Sequence, residues 1–278
     1  MRLLQVFCQV TDLDFSEYRV QWVERLVLSL DDDQTSVVEA TIGGLDAFVK
    51  AIDKDELDSL VIPMRRTIVL TGAPGRPPLG FSSPGLASLV PIVLAGLTGG
   101  TSDQRENAAL AIGDLVKRTE SSSIKSYTTP LTGALIRVIT QATTLPPGVK
   151  SAILLALTAM LDIIPSFVKP FFPQLQRTFC KTLVDPSSGT VRNHAAEALG
   201  ALFKSQPRVD PLITELTGTA RSSQDEKITA SVYNGLAHAV DSAKDHVGSA
   251  SRRALADLIE ETFSTESYDG MLLFMCTA

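Results

Sequence analysis

The sequence predicts an all-α fold built from stacked helical hairpins. Two interleaved periods and a shortage of reactive groups lead to it. An alanine-rich helical pattern recurs about every 40 residues, a proline-marked apolar run recurs between its copies, and no catalytic cluster interrupts either.

The first pattern is clearest in residues 185–203, DPSSGTVRNHAAEALGALF. Val191, Ala195, Ala196, Ala198, Leu199, Leu202 and Phe203 follow i, i+4, i+5, i+7, i+8, i+11 and i+12, one wide apolar face of a helix. Asp185-Pro186-Ser187-Ser188 supplies the helix-start signal. The small residues at 195, 196 and 198 let a second helix come close. The pattern returns in DQRENAALAIGDLV (103–116), where Arg105, Ala108, Ala109, Ala111 and Gly113 take the places of Arg192, Ala195, Ala196, Ala198 and Gly200. It returns again in PGVKSAILLALTAML (147–161), with Val149, Lys150, Ala156 and Leu157 for Val191, Arg192, Ala198 and Leu199. Weaker copies start at Val37 and Ile228. The anchors of the four later copies, 104, 149, 191 and 228, are 45, 42 and 37 residues apart.

The second pattern lies between these helices. Pro91, Pro130, Pro173 and Pro211 each precede an apolar helical run and stand 39, 43 and 38 residues apart, with Pro63 as an earlier member. Proline lacks the N–H and crowds the preceding turn, so it starts or bends a helix. Proline in one helix and VRxxAAxALG in the next, at this spacing, describes a HEAT repeat: a bent outer helix and a straighter inner one. The expected pairs are 16–30 with 33–51, 84–98 with 103–118, 122–142 with 147–163, 166–184 with 189–204, and 209–221 with 226–241. A lone helix near 54–70 breaks the alternation. The stretch TGAPGRPPLGFSSPG (71–85) carries four Pro and four Gly and reads as a loop. Residues 246–263 begin a further repeat. We therefore expect residues 1–278 to be a single HEAT-repeat solenoid fragment of a larger protein, an α-α superhelix in which each repeat buries itself against its neighbours.

Composition agrees with this. The 278 residues are 44% hydrophobic and only 6% aromatic, which predicts an aliphatic, alanine-rich interior. A net charge of −6 argues against a bulk field for nucleic acid. Cys8, Cys180 and Cys276 are far apart and form no CxxC, so reduced, buried thiols in a cytoplasmic protein are expected. The start lacks the apolar core and cleavage site of a secretion signal, and no apolar run reaches the roughly 18 residues of a membrane span.

Reactive constellations are missing. His194, His238 and His246 form no HExxH and have no cysteine at metal spacing. GFSSPG (80–85) has Pro84 where a nucleophile elbow needs glycine, and TGAPGRPPLG lacks the Lys-Ser/Thr ending of a phosphate loop. Asp31-Asp32-Asp33 precedes a helix, where negative charge is favourable. No enzyme activity, metal or cofactor is expected.

Five segments together carry a resemblance: RRTIVLTGAPGRP (65–77), QRENAALAIGDLVKRT (104–119), PLTGALIRVI (130–139), PFFPQLQRTF (170–179) and QPRVDPLITEL (206–216). Over about residues 60–220 the chain resembles the C-terminal HEAT region of the general-control translational activator family. These are ribosome-associated activators of the amino-acid-starvation kinase of translation initiation factor two alpha. The resemblance implies a protein-binding scaffold that docks the RWD domain at the N-terminus of that kinase, with ribosome contact made by other parts of the full-length protein. It implies no membrane and no small-molecule ligand.

The same resemblance points to Arg137, in LIRV, and to Phe171, after Lys169-Pro170. Read from the residues alone, Arg137 projects away from Leu131, Leu135, Val138 and Ile139, as a solvated helix charge or as a bidentate contact to a partner's carboxylate. Phe171 lies among Phe167, Phe172, Leu175 and Phe179, which suits either core packing or a contact. The alternative function is a HEAT solenoid touching the ribosome or RNA without direct kinase binding. The basic pairs Arg65-Arg66, Lys117-Arg118 and Arg252-Arg253 support that alternative.

Overall fold

The computed structural model describes residues 1–11, 13–72, 78–141, 145–206 and 208–264. All regular structure among them is helical. The chain divides after Lys169 into two compact units.

The N-terminal unit holds α1 (Arg2–Val10), α2 (Arg19–Ser29), α3 (Thr35–Lys50), α4 (Val61–Ile68), α5 (Ser83–Gly99), α6 (Ser102–Arg118), α7 (Ser121–Gln141), α8 (Pro147–Ile163) and the single turn α9 (Pro165–Val168). They form two rows. One row packs α1 on α3, α3 on α5, α5 on α7 and α7 on α9; the other packs α2 on α4, α4 on α6 and α6 on α8. The C-terminal unit holds α10 (Phe172–Leu183), α11 (Gly189–Phe203), α12 (Asp210–Ser222), α13 (Glu226–Ala243) and α14 (Ser249–Ser264). Here α10 packs on α11, α11 on α13, α12 on α13 and α12 on α14.

Three of the inner helices begin on a side-chain cap. Thr101 and Gln104 form a reciprocal capping box at α6, the Ser188 hydroxyl accepts the Val191 N–H at α11, and the Asp225 carboxylate accepts the Lys227 and Ile228 N–H groups at α13. Each cap satisfies donors that the helix start would otherwise leave open. The predicted apolar face of α11 is fully realised: Val191, Ala195, Ala196, Ala198, Leu199 and Leu202 have no exposed surface. Small residues set the spacing of the inner row. A Cβ on Gly113 would sit 3.5 Å from the Cα of Ala156 on α8, and one on Gly200 would sit 3.2 Å from the Cβ of His238 on α13. The two glycines occupy the same place in their repeats, so their identity follows from the close approach of the next inner helix.

The prolines divide into two kinds. Pro91 and Pro130 lie inside α5 and α7, whereas Pro173 and Pro211 stand in the first turns of α10 and α12.

The first two repeats have a different phase from the one the sequence suggests. The expected pair 16–30 with 33–51 is not an outer–inner hairpin, because α2 stacks on α4 while α3 stacks between α1 and α5. The helix near 54–70 is therefore not alone. A 3₁₀ segment, Lys54–Leu60, packs on α5 and runs into α4, which takes a place in the inner row. Two local features explain the inversion. Val38 stands where the inner helices carry Arg105 and Arg192, and it is buried as a core residue. Pro63 falls in the first turn of α4, where proline merely starts a helix and does not mark the outer row.

The loop expected at 71–85 ends earlier, since α5 begins at Ser83; residues 73–77 lie outside the described set, as does the apolar tail 271–278. The described parts of the loop are tied to the end of α2: the Gly72 N–H donates to Asp31 Oδ2 at 2.8 Å and the Gly80 N–H donates to the Leu30 carbonyl at 2.9 Å. Gly72 has φ 80°, a left-handed backbone that glycine adopts without penalty. Asp31 thus serves the loop, while Asp32 accepts the Gln34 N–H just before α3, which fits the expected helix-start role.

One aromatic cluster closes the N-terminal end. Trp22 is stacked on Phe15 and Tyr18 at centroid distances of 5.4 and 5.7 Å, and Phe7 and Phe48 meet it edge-on at 5.9 and 6.1 Å. Arg19 lies over Phe15 and pairs with Glu56 at 2.8 Å.

Candidate partner-binding face

The opening motif of the repeat resolves into packing. Arg192 is buried, yet its Nε donates to Ser231 Oγ on α13 and its Nη1 donates to the Asp185 carbonyl, both at 2.8 Å. Buried charge is tolerated when its donors are occupied in this way. Arg105, at the same repeat position, donates from Nη2 to the Thr98 carbonyl at the end of α5. Arg192 is accounted for by structure, while Arg105 uses one donor on α5 and its Nε is buried without a hydrogen-bond partner among the described residues.

Arg137 is different. On α7 the residues Ile124, Thr128, Leu131, Leu135, Ile136 and Ile139 are buried, and Arg137 stands exposed on the opposite side, as its spacing predicts. Among the described residues its guanidinium has no ion pair or hydrogen bond. Its helix is held from several sides: the Tyr127 hydroxyl donates to the Ser83 carbonyl at 2.9 Å, Thr132 Oγ1 meets Met160 Sδ of α8 at 3.8 Å, and Lys125 lies 5.6 Å from the ring centre of Phe167. The arginine is therefore presented by a positioned scaffold.

Arg137 also closes one end of a groove. Leu94, Ala95 and Thr98 of α5 face Thr129, Pro130, Gly133 and Ala134 of α7 across an open trough of about 440 Å³. The Thr98 hydroxyl donates to the Leu94 carbonyl at 2.7 Å. Sequence reasoning named Arg137 but missed the groove. The available signal was Gly133 itself, a glycine inside a helix, which costs roughly 1 kcal/mol relative to alanine and for which the repeat pattern offers no packing reason.

Phe171 lies in the other unit. It is the N-cap residue of α10, at the end of a 3₁₀ turn, and it is half-buried. Its neighbour Phe172 is the one that joins Leu175 and Phe179 in the core. Arg137 and Phe171 each belong to the surface or margin of their own unit.

Among the described residues no group of three or more His, Cys, Asp or Glu could hold a metal. Burial, then the charge of Glu215, pushes the Cys180 thiol up to about 12, and burial raises Cys8 as well, so neither is a thiolate at neutral pH. Both are free, as expected, while Cys276 lies outside the described residues. His246 Nδ1 contacts the Ala243 carbonyl at 3.1 Å and His238 lies against Gly200, both ordinary packing positions. No single helix among the described residues is long and apolar enough to cross a membrane.

Comparison with known proteins adds the lineage. Residues 1–86 match the family described as stalled ribosome sensor GCN1-like, HEAT repeats. The chain is 39% identical over 256 residues to the eIF-2-alpha kinase activator GCN1 of Saccharomyces cerevisiae, an alignment covering 92% of this chain and 10% of that protein.

The chain belongs to the GCN1-like HEAT-repeat family.

The eIF-2-alpha kinase activator GCN1 of Dictyostelium discoideum is 37% identical over 222 residues, covering 76% of this chain and 8% of that one. The stalled ribosome sensor GCN1 of Homo sapiens is 30% identical over 261 residues, covering 92% and 10%. The chain thus spans about a tenth of the length of the curated GCN1 relatives it matches most fully. Two solved structures of engineered proteins match the fold at TM-scores of 0.55 and 0.51 with 15% and 16% identity, covering 87% of this chain in each case and 100% and 98% of theirs. The all-α HEAT-repeat architecture read from the two periods is the architecture observed.

Proposed function

We propose that this chain is a protein-binding scaffold of translation control. Residues 1–278 serve as one HEAT-repeat fragment of a larger cytoplasmic protein, dock the RWD domain of the amino-acid-starvation kinase, and promote its activation on ribosomes. The outcome is phosphorylation of translation initiation factor two alpha. The chain does no chemistry of its own; ribosome contact belongs to other parts of the full-length protein. The yeast relative's name, kinase activator, supports the role. The observation that carries the site is Arg137: exposed, without an ion partner among the described residues, and held on a packed helix beside an open groove. A planar guanidinium so placed takes a partner's carboxylate in a bidentate pair. Phe171, in the other unit, acts as a contact of its own or through packing at the start of α10.

The test is a binding titration of the 278-residue chain with the recombinant RWD domain. Arg137→Ala weakens binding about tenfold or more while the circular dichroism spectrum stays native. Full affinity in that variant removes Arg137 from the site.

A second reading, direct contact with the ribosome or RNA, is supported by the human relative's name and by the exposed Arg252 and Arg253 on α14. The other basic pairs support it less. Arg65 donates to Asp114 at 3.3 Å and to Asn107 at 3.0 Å, and Arg118 donates to the Thr71 and Val69 carbonyls. Binding to ribosomal RNA that falls steeply with salt, and falls further in Arg252→Ala/Arg253→Ala, favours this reading; salt-insensitive, negligible affinity removes it.

A further inference from the structure

We propose that the α5–α7 groove is the seat of a single partner α-helix, which brings a small residue against Gly133 and a carboxylate one turn away to Arg137. This rests on the kinase-docking reading and assigns its binding face.

Three independent observations converge. The first is space. A Cβ built on Gly133 would meet nothing within 4 Å, although the residue sits in the middle of a long helix and is only half-exposed. Several helical glycines answer to a neighbour, as Gly113 does to Ala156 and Gly235 does to Leu183, whose Cδ2 would lie 2.7 Å from its Cβ, whereas Gly99 at the end of α5 and the exposed Gly218 of α12 meet nothing within 4 Å. Among the described residues Gly133 answers to no neighbour, and it is the one such glycine that lines the trough, so the close approach it permits is left for another backbone.

The second is shape. Thr129, Gly133 and Arg137 on α7, and Leu94 and Thr98 on α5, follow i, i+4 spacing and flank the trough. Rows at that spacing form the ridges and grooves into which another helix packs. An extended strand would fit poorly: its N–H and C=O groups need partners, and the walls offer leucine, alanine, proline, glycine and the side chains of two threonines. A helix arrives with its backbone bonds already made.

The third is charge. Arg137 is the one charged residue lining the groove and has no ion partner among the described residues. In a chain of net charge −6 this local cation selects an acidic side chain on the incoming element. Because Arg137 follows Gly133 by one turn, the carboxylate and the small residue are placed one turn apart on the partner.

The experiment uses the 278-residue chain and the recombinant RWD domain. Gly133→Leu and Thr129→Trp fill the trough from exposed or half-exposed positions, and Gly133→Leu also removes a helix-weakening residue, so both keep native ellipticity and melting behaviour. We expect each to lower affinity at least tenfold, and a photo-crosslinker at position 133 to label partner residues spaced three or four apart on one helix. If Arg137→Ala weakens binding while both filling variants bind like wild type, the groove is wrong and the docking reading survives. Crosslinks confined to a strand or loop of the RWD domain also overturn the helix. Absence of any binding by the wild-type chain overturns the docking reading and this inference with it.

Discussion

The C-terminal unit contains two helix–helix seams made by opposite means. Between α11 and α13 the contact is short side chains and a glycine: Ala195, Ala198 and Leu199 are fully buried, Gly200 meets His238, and Arg192 crosses to Ser231. Between α12 and α14 it is mostly polar clips at the two ends. Asp210 Oδ1 accepts the Gly248 N–H at 2.9 Å, and Arg221 pairs with both oxygens of Glu261 at 2.8 Å. Of α14 only Ser251, Leu258 and Thr262 are buried, while Ile259 and Phe263 stay exposed. The first seam takes its free energy from removing apolar surface from water, the second from charges and dipoles that solvent partly screens. The inner seam should set global stability and the outer one should open locally.

The largest test of that contrast is Leu199→Asp. Burial of one leucine contributes about 2 kcal/mol, and an unpaired carboxylate in its place costs several more, so a loss of more than ~4 kcal/mol is expected. Urea titration followed by circular dichroism reads it, and an unchanged midpoint would falsify the assigned register. Next comes Arg192→Ala, which leaves the Ser231 hydroxyl and the Asp185 carbonyl short of a partner and opens a void; about 2 kcal/mol should be lost, by the same titration.

The smallest effect belongs to the outer seam and depends on pH. The Ser251 and Gly248 hydrogen bonds hold the Asp210 carboxyl below its usual value. A depressed folded pKa gives stability that is full above the unfolded value of about 3.9 and is lost as pH falls through the lower folded value. The hydrogen bond from Arg221 lowers Glu261 in the same direction. Protection factors in 248–262, taken against the intrinsic exchange rate at each pH, should therefore fall on acidification below about pH 4, while those of 195–202 hold. Asp210→Asn should flatten that dependence. Equal acid sensitivity in both segments would erase the distinction.

The inner seam was legible in the sequence and the outer one was not, for a physical reason. Ala195, Ala198, Leu199 and Gly200 repeat because each inner helix meets a copy of itself, and self-similar contacts leave a periodic trace. Asp210 and Gly248 are one repeat apart but their pairing depends on which helix end lies beside which, and single polar residues carry no period. The same limit accounts for the inverted phase at α2–α4. Proline types a helix only by its place within it, and Pro63 and Pro130 read alike until the helix starts are known. Arg137 was legible as an exposed residue from its spacing alone. The groove beside it was not, because Leu94 and Gly133 become neighbours only when α5 and α7 stack.

The single tryptophan of the chain sits in the aromatic cluster of the N-terminal unit, stacked between Phe15 and Tyr18. Indole emission is therefore a built-in spectroscopic label for that end, whereas ellipticity sums every helix. Melts recorded in both signals would separate the two halves without any added dye, and a lesion at Leu199 would declare itself as an ellipticity loss that precedes the red shift of Trp22.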